Sequence, residues 1–246
     1  MKNKKIGVLM GGLSNEREVS LKSGNAVLQG LRDAGFDAVP IDADKDLDIK
    51  LRAEKIETAY IALHGRFGED GTVQGMLELL KIPYTGSSLI SSAITIDKNL
   101  TRQILIQNGL NVAPGYLVNE NDSDLTNRLP FPLVVKPSEE GSSVGVSIAK
   151  NEEEFNKGLK AAFLCSKNVV IEQFVAGKEI QVAVIDGVAI GAVEVEPHAE
   201  FYDYNAKYSD GGSTHHIPPR ISENRIKDAY ETAQNAFFAC RCSGAV

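Results

Sequence analysis

Cysteine is scarce in this chain: Cys165, Cys240 and Cys242 are the only three among 246 residues. Three is odd and too few for a disulfide framework, which points to a reducing, cytoplasmic location. Cys240 and Cys242 form a C-x-C pair that could bind metal only with partners elsewhere. Excess positive charge is lacking too, since 26 Lys and Arg face 33 Asp and Glu, a net charge of −7. An acidic balance excludes a general phosphate-backbone binder, so no nucleic-acid partner is expected. No uncharged apolar run reaches the ~18 residues of a membrane helix, and no membrane partner is expected either. Lys2 to Lys5 and the apolar residues after them imitate a secretion signal, but Gly7, Gly11 and Gly12 interrupt the run before Glu16, Arg17 and Glu18. There is no internal repeat and no low-complexity tract. Two nucleotide signatures are also missing: no G-x-G-x-x-G follows a strand, and no Gly-rich run ends in Gly-Lys-Ser/Thr.

What remains is an ordinary globular composition, 43% apolar and 24% charged, with 22 glycines, above the usual ~7%. The first third alternates strands and helices. Lys5 to Met10 reads as a buried strand, and Val19, Ser23, Ala26, Val27, Leu31 and Ala34 recur at helical spacing until Gly35. Phe36 to Ile41 and Ala59 to Leu63 are further strands, the latter followed by a helix through Val73, Met76, Leu77 and Leu80. This rhythm predicts a parallel sheet covered by helices.

After a helix from Lys98 to Asn108 the texture changes to antiparallel α+β. Val112 to Val118, Leu133 to Lys136, Val144 to Ile148 and Val169 to Phe174 are strand-like, and Asn151 with Glu154 caps a helix burying Phe155, Leu159 and Phe163. Asp186-Gly187, between Glu179 to Ile185 and Val188 to Val195, favours a two-residue type I′ hairpin. A last helix begins near Ser222 and carries Ile226, Tyr230, Ala233 and Phe237 on one face; Ser243 to Val246 then looks like the start of a strand.

Polar, Gly-containing segments follow several of these strands, where open α/β sheets bind ligands. Gly11 to Glu18 starts a helix with two carboxylates, Glu16 and Glu18, which would complement the helix dipole or meet a ligand. His64 to Gly71 sets a histidine beside Arg66, Glu69 and Asp70 in a turn-rich loop. Lys136-Pro137 leads into Ser138 to Gly145, a loop that can aim several N–H groups and hydroxyls at one anion while the lysine supplies charge. Glu172 and Glu179 flank the turn at Ala176-Gly177. Phe201 to Tyr208 is aromatic, polar and aperiodic, which suits a ligand-covering loop. His215-His216 lacks further ligands at zinc spacing and reads as surface or loop.

Together these segments resemble the D-alanine-D-alanine ligases of the ATP-grasp superfamily. The resemblance rests on Gly-Gly-x-Ser-x-Glu-Arg-Glu-Val-Ser at 11 to 20, His-Gly-x-x-Gly-Glu-Asp-Gly at 64 to 71, Asp-Lys at 97 to 98, Val-Lys-Pro-Ser-x-Glu-Gly-Ser-Ser-Val-Gly at 135 to 145 and Phe-Tyr-Asp-Tyr-x-Ala-Lys-Tyr at 201 to 208, in the family's order. It implies an ATP-grasp architecture: an N-terminal parallel α/β domain over 1–96, a small central α+β domain over 97–178, and an incomplete C-terminal α+β domain over 179–246.

The activity implied is ATP-dependent joining of two D-alanines, through an acyl phosphate on the first, for peptidoglycan precursors. By resemblance, Lys98, Lys136 and Lys207 contact ATP phosphates, with Ser142 and Ser143 in the loop. Glu172, Gln173, Phe174 and Val175 line the adenine and Glu179 holds the ribose. Glu16, Val19, His64, Ser142 and Tyr208 serve the first alanine, with Glu16, Ser142 and Tyr208 as the catalytic set. A homodimer is implied, as is Mg2+ or Mn2+. The family's metal ligands are expected beyond Val246, so these 246 residues alone are expected to be inactive. A D-alanine-D-lactate ligase and a non-catalytic nucleotide-binding module are the alternatives.

Overall fold

The computed structural model describes residues 4–198 and 212–246. The chain forms two compact units, one ending at Ala93 and the other beginning at Ile94.

In the first unit, β1 (Ile6–Met10) lies between β2 (Ala38–Asp42) and β3 (Thr58–Ile61), all parallel. Residues 83–85 extend the β3 edge, where the Ala59 N–H donates to Pro83 O at 2.8 Å and the Thr85 N–H to Ala59 O at 3.1 Å. Alternation sends the two sides of β1 to different cores. Val8 and Met10 pack with Leu28 of α1 (Arg17–Asp33). Leu9 packs on the other face with Leu47 and Leu51 of α2 (Leu47–Ala53) and Val73 and Leu77 of α3 (Thr72–Leu80). Helices therefore cover both faces, as the strand-helix rhythm predicts. The sheet's switch point falls between β1 and β3, so the loops leaving their carboxyl ends lie side by side.

Two helices escape the periodicity reading. In α2 only Leu47 and Leu51 are buried within a short, charged segment. In α4 (Leu89–Ile96) the buried residues are Ser91 and Ser92, so its apolar pattern points the wrong way. The second strand starts at Ala38, not Phe36, because the Phe36 N–H donates back to Leu31 O at 3.0 Å, closing the end of α1.

The second unit starts with α5 (Lys98–Gln107) and holds two antiparallel sheets. One runs β4 (Gly115–Asn119), β7 (Asn168–Gln173), β5 (Leu133–Pro137), β6 (Ser147–Ala149), with Phe155, Leu159 and Ala162 of α6 (Glu152–Phe163) buried on it and Phe163 partly buried. Asn151 caps α6 by accepting the Glu154 N–H at 3.0 Å, as anticipated. The other runs β10 (Ser213–His216), β9 (Val188–Pro197), β8 (Glu179–Ile185). Positive φ at Asp186 and Gly187 confirms the type I′ hairpin between β8 and β9. α7 (Glu223–Ala239) is capped by Ser222 and buries Phe237. The final residues meet β8 in a single antiparallel bridge, Ala245 opposite Ile185, with reciprocal bonds between Val184 and Val246 at 2.8 and 2.9 Å.

Three strand readings need correction. His215-His216, read as surface or loop, has His215 exposed but belongs to β10, in register with Val195 and Glu194 of β9. The fourth strand begins at Gly115, since Pro114 has no N–H to give. The sixth begins at Ser147, because positive φ at Ser142, Ser143 and Gly145 turns the chain out of the sheet.

Candidate active site

In the first unit, Gly11 and Gly12 follow β1 with φ of 75° and 80° and let the chain turn sharply. The turn is held by Arg17, whose guanidinium grips Asp42 at the end of β2 at 2.8 and 2.6 Å and donates to Gly12 O at 3.0 Å. That grip holds the Asp42 carboxyl below the usual carboxylate range. Glu16, immediately before the helix, is thereby fixed and buried. From the neighbouring loop, His64 O accepts the Ser14 hydroxyl at 2.8 Å, and a side chain at Gly65 would land on the Glu16 carboxylate. His64 Nε2 lies 3.2 Å from Ser23 Oγ and Nδ1 3.6 Å from Glu69. Its pKa is raised, mainly by Glu69 and further by Glu16. Val19 is half-buried one turn beyond Glu16. The structure thus brings Glu16, Val19 and His64 together at the sheet's switch point.

In the second unit, Asp97 caps α5, accepting the Asn99 and Leu100 N–H groups at 2.9 and 3.1 Å and the Ser138 hydroxyl at 2.7 Å. Ser138, fully buried, also accepts the Lys98 N–H at its carbonyl at 2.9 Å. These bonds dock the start of α5 onto the end of β5 and set Lys98 beside Lys136. Lys98 donates to Glu140 O. Burial, and then the Lys136 charge, bring its pKa down to about 8. Ser142 and Ser143 both adopt left-handed φ, 48° and 60°, and the Val144 and Val146 N–H groups close the loop on Gly141 O and Ser143 O at 3.0 and 3.3 Å.

Glu172 lies diagonally across β5 from Lys136, two residues along from its register partner Val134. Its carboxylate pairs with Lys136 and, at 2.7 Å, with Arg102 of α5. Gln173 and Phe174 are tied to the chain before β5: the Gln173 side chain donates to Pro132 O at 2.9 Å and the Phe174 N–H to the same oxygen at 3.0 Å. Phe174 and Val175 then open onto a cavity of about 520 Å³ lined also by Lys178, Glu179, Glu194 and Arg220. Glu194, 2% exposed, is paired with Arg220 at 2.7 Å and Lys178 at 3.1 Å, and the Arg220 guanidinium first of all holds its pKa down to about 2.

Lys207 and Tyr208 lie outside the described residues. Arg17, Asp42, Arg102, Ser138, Glu194 and Arg220 were not singled out from sequence as site residues. Glu194 carried a signal, a carboxylate between Val193 and Val195 in a strand, since a buried charge must be paired. Among the described residues no group of three or more His, Cys, Asp or Glu side chains could hold a metal ion, and no helix is long and apolar enough to cross a membrane.

Residues 104–246 match the family described as D-ala D-ala ligase C-terminus, and residues 47–87 match D-ala D-ala ligase N-terminus. A D-alanine-D-alanine ligase of Citrifermentans bemidjiense is 50% identical over 242 residues, 98% of this chain and 79% of that protein. The crystal structure of the D-alanine-D-alanine ligase from Bacillus anthracis superposes with a TM-score of 0.87 at 37% identity, over 98% of this chain and 80% of that one. A structure of the ligase from that organism complexed with ATP gives a TM-score of 0.84 at 31% identity, over 98% and 79%. With a relative 50% identical over 98% of this chain, and with a family match over residues 104–246, this chain belongs to the D-alanine-D-alanine ligase family and has its ATP-grasp fold.

Proposed function

We propose that this protein joins two D-alanines into D-alanyl-D-alanine for peptidoglycan precursor synthesis. The carboxylate of the first alanine takes the γ-phosphoryl group of ATP, releasing ADP, and the amine of the second displaces phosphate from the acyl phosphate. The observation that carries this reading is the docking of α5 on the end of β5, which sets Lys98 and Lys136 beside the loop of Ser142 and Ser143. Two ammonium groups beside a tight serine-rich loop suit a transferring phosphoryl group, where catalysis is positioning and charge neutralisation.

The residue roles are those the motif resemblance implies. Lys98, Lys136, Ser142 and Ser143 hold the phosphates; Glu172, Gln173, Phe174 and Val175 line the base; Glu179 meets the ribose. Glu172 already has two cationic partners, so it also keeps Lys136 aimed. Glu16, buried and carboxylate-bearing, receives the ammonium of the first alanine, with Val19 and His64 around it. Ser142 and Tyr208 as catalytic groups, and Lys207 at the phosphates, rest on the motif resemblance. Mg2+ or Mn2+ finds no ligand cluster among the described residues, and none of these roles runs through it. Boundaries near 96 and 178, cytoplasmic location and a homodimer complete the proposal; the three free thiols agree with the location.

The test is phosphate release by the complete gene product. Release that requires D-alanine and yields one dipeptide per phosphate is expected, with D-lactate a poor competitor as acceptor. Nucleotide binding without D-alanine-dependent release, or a preference for D-lactate, would overturn it.

A further inference from the structure

Glu194 sits on β9 opposite Ile180, and its neighbour Val195 is opposite Glu179. Its carboxylate accepts from Arg220 three times, from the backbone N–H at 2.7 Å, Nε at 3.2 Å and an Nη at 2.7 Å. Lys178 Nζ approaches both Glu194 oxygens, at 3.1 and 3.3 Å, and donates to Arg220 O at 2.6 Å. Lys178 Nζ thus donates to Glu194 and to Arg220 O, and this strut, 44% exposed, ties the turn before β8 to β9 and to the chain before α7. Arg220 also reaches Glu196 at 2.8 Å, so Lys178 and Arg220 are matched by Glu194 and Glu196, with Glu179 a third carboxylate on the cavity wall. A wall of two cations and three carboxylates suits the hydroxyl-bearing sugar end of a nucleotide and not its phosphates, in contrast to the lysine pair at Lys98 and Lys136.

Lys178 is the residue before Glu179, so whatever anchors it sets the direction in which β8 begins. We infer that Glu194 is a positioning residue for the nucleotide: by anchoring Lys178 and Arg220 it fixes the turn entering β8 and aims the Glu179 carboxylate at the ribose hydroxyls. This rests on reading the cavity as the ribose end of the ATP site.

The experiment measures KM and kcat of the complete gene product with ATP and with 2′-deoxy-ATP. Glu194→Gln keeps the volume but loses the charge, and Lys178→Met removes the strut while leaving Glu194 paired with Arg220. Both are expected to raise KM for ATP about tenfold with kcat within about twofold, the pattern of lost uniform binding. Both should also bring the ratio of KM for 2′-deoxy-ATP to KM for ATP down toward one, as Glu179→Ala should, while Lys178→Arg is expected to keep the wild-type ratio. A purely structural role would lower active enzyme and leave that ratio alone. If Glu179→Ala collapses the ratio and Lys178→Met does not, the positioning inference is wrong and the ribose reading stands. If Glu179→Ala leaves it unchanged, or the wild-type ratio is already one, both are wrong. Should Glu194→Gln fail to fold, Lys178→Met decides alone.

Discussion

Lys98 shows how much a single side chain's surroundings determine what it can do. It is largely buried, faces Lys136, and has a pKa lowered to about 8. A lysine with a lowered pKa binds fewer protons folded than unfolded between that value and its ordinary one, so its charge opposes folding below pH 8 and stability rises as pH climbs through the window. A bound phosphate reverses the sign by favouring the cation. ADP binding at pH 8 is therefore expected to take up a fraction of a proton, seen calorimetrically as a binding enthalpy that varies with buffer ionisation enthalpy. Lys98→Met should abolish that variation. No buffer dependence in the wild type would remove Lys98 from the phosphates. The Asp97-Lys98 dipeptide was visible in the sequence, but its partner Ser138 was not. Ser138 looked like one more loop residue, and only the fold shows it buried with its hydroxyl on Asp97 and its carbonyl on the Lys98 N–H.

At the scale of elements, the strands that carry the site were legible because their apolar runs end in Gly, Lys or Pro, and the hairpin because Asp-Gly favours one turn type. What escaped were α4, whose buried face is serine, and β10, whose Ser213–His216 stretch has no apolar alternation and is held by pairing with β9. Ties between elements were equally invisible. Arg102 of α5 donates to Ala113 O and Glu172 at 2.7 Å each, pinning the helix to β7 and to the chain entering β4. Arg102→Met should destabilise the protein by about 2–3 kcal/mol in urea unfolding, less than for an abandoned buried charge because Lys136 still neutralises Glu172. A change below about 0.5 kcal/mol, the surface level, would show the tie to be decorative. Gly115 makes the tie possible, for a Cβ there would stand 2.9 Å from the Glu172 side chain and 3.0 Å from Arg102.

Across the whole molecule, the chain separates its chemistry between its two units. The first offers a buried carboxylate, Glu16, at the switch point of a parallel sheet; the second offers lysines, a serine-rich loop and a cavity lined by two cations and three carboxylates. The residues and order of five motifs were enough to suggest the family, and three of them, after β1, β3 and β5, follow strands of the described structure. They were not enough to show the ionic ties that hold the loops, since Arg17 to Asp42 and Arg220 to Glu194 join residues 25 and 26 apart with no local pattern. The proposed division of labour gives the amino acid to Glu16 and the nucleotide to Lys136. Steady-state kinetics of Glu16→Gln and Lys136→Met in the complete gene product measure it directly. Glu16→Gln should raise KM for D-alanine at the first site at least tenfold with KM for ATP unchanged, and Lys136→Met the reverse. Equal effects of either substitution on both constants would contradict the account.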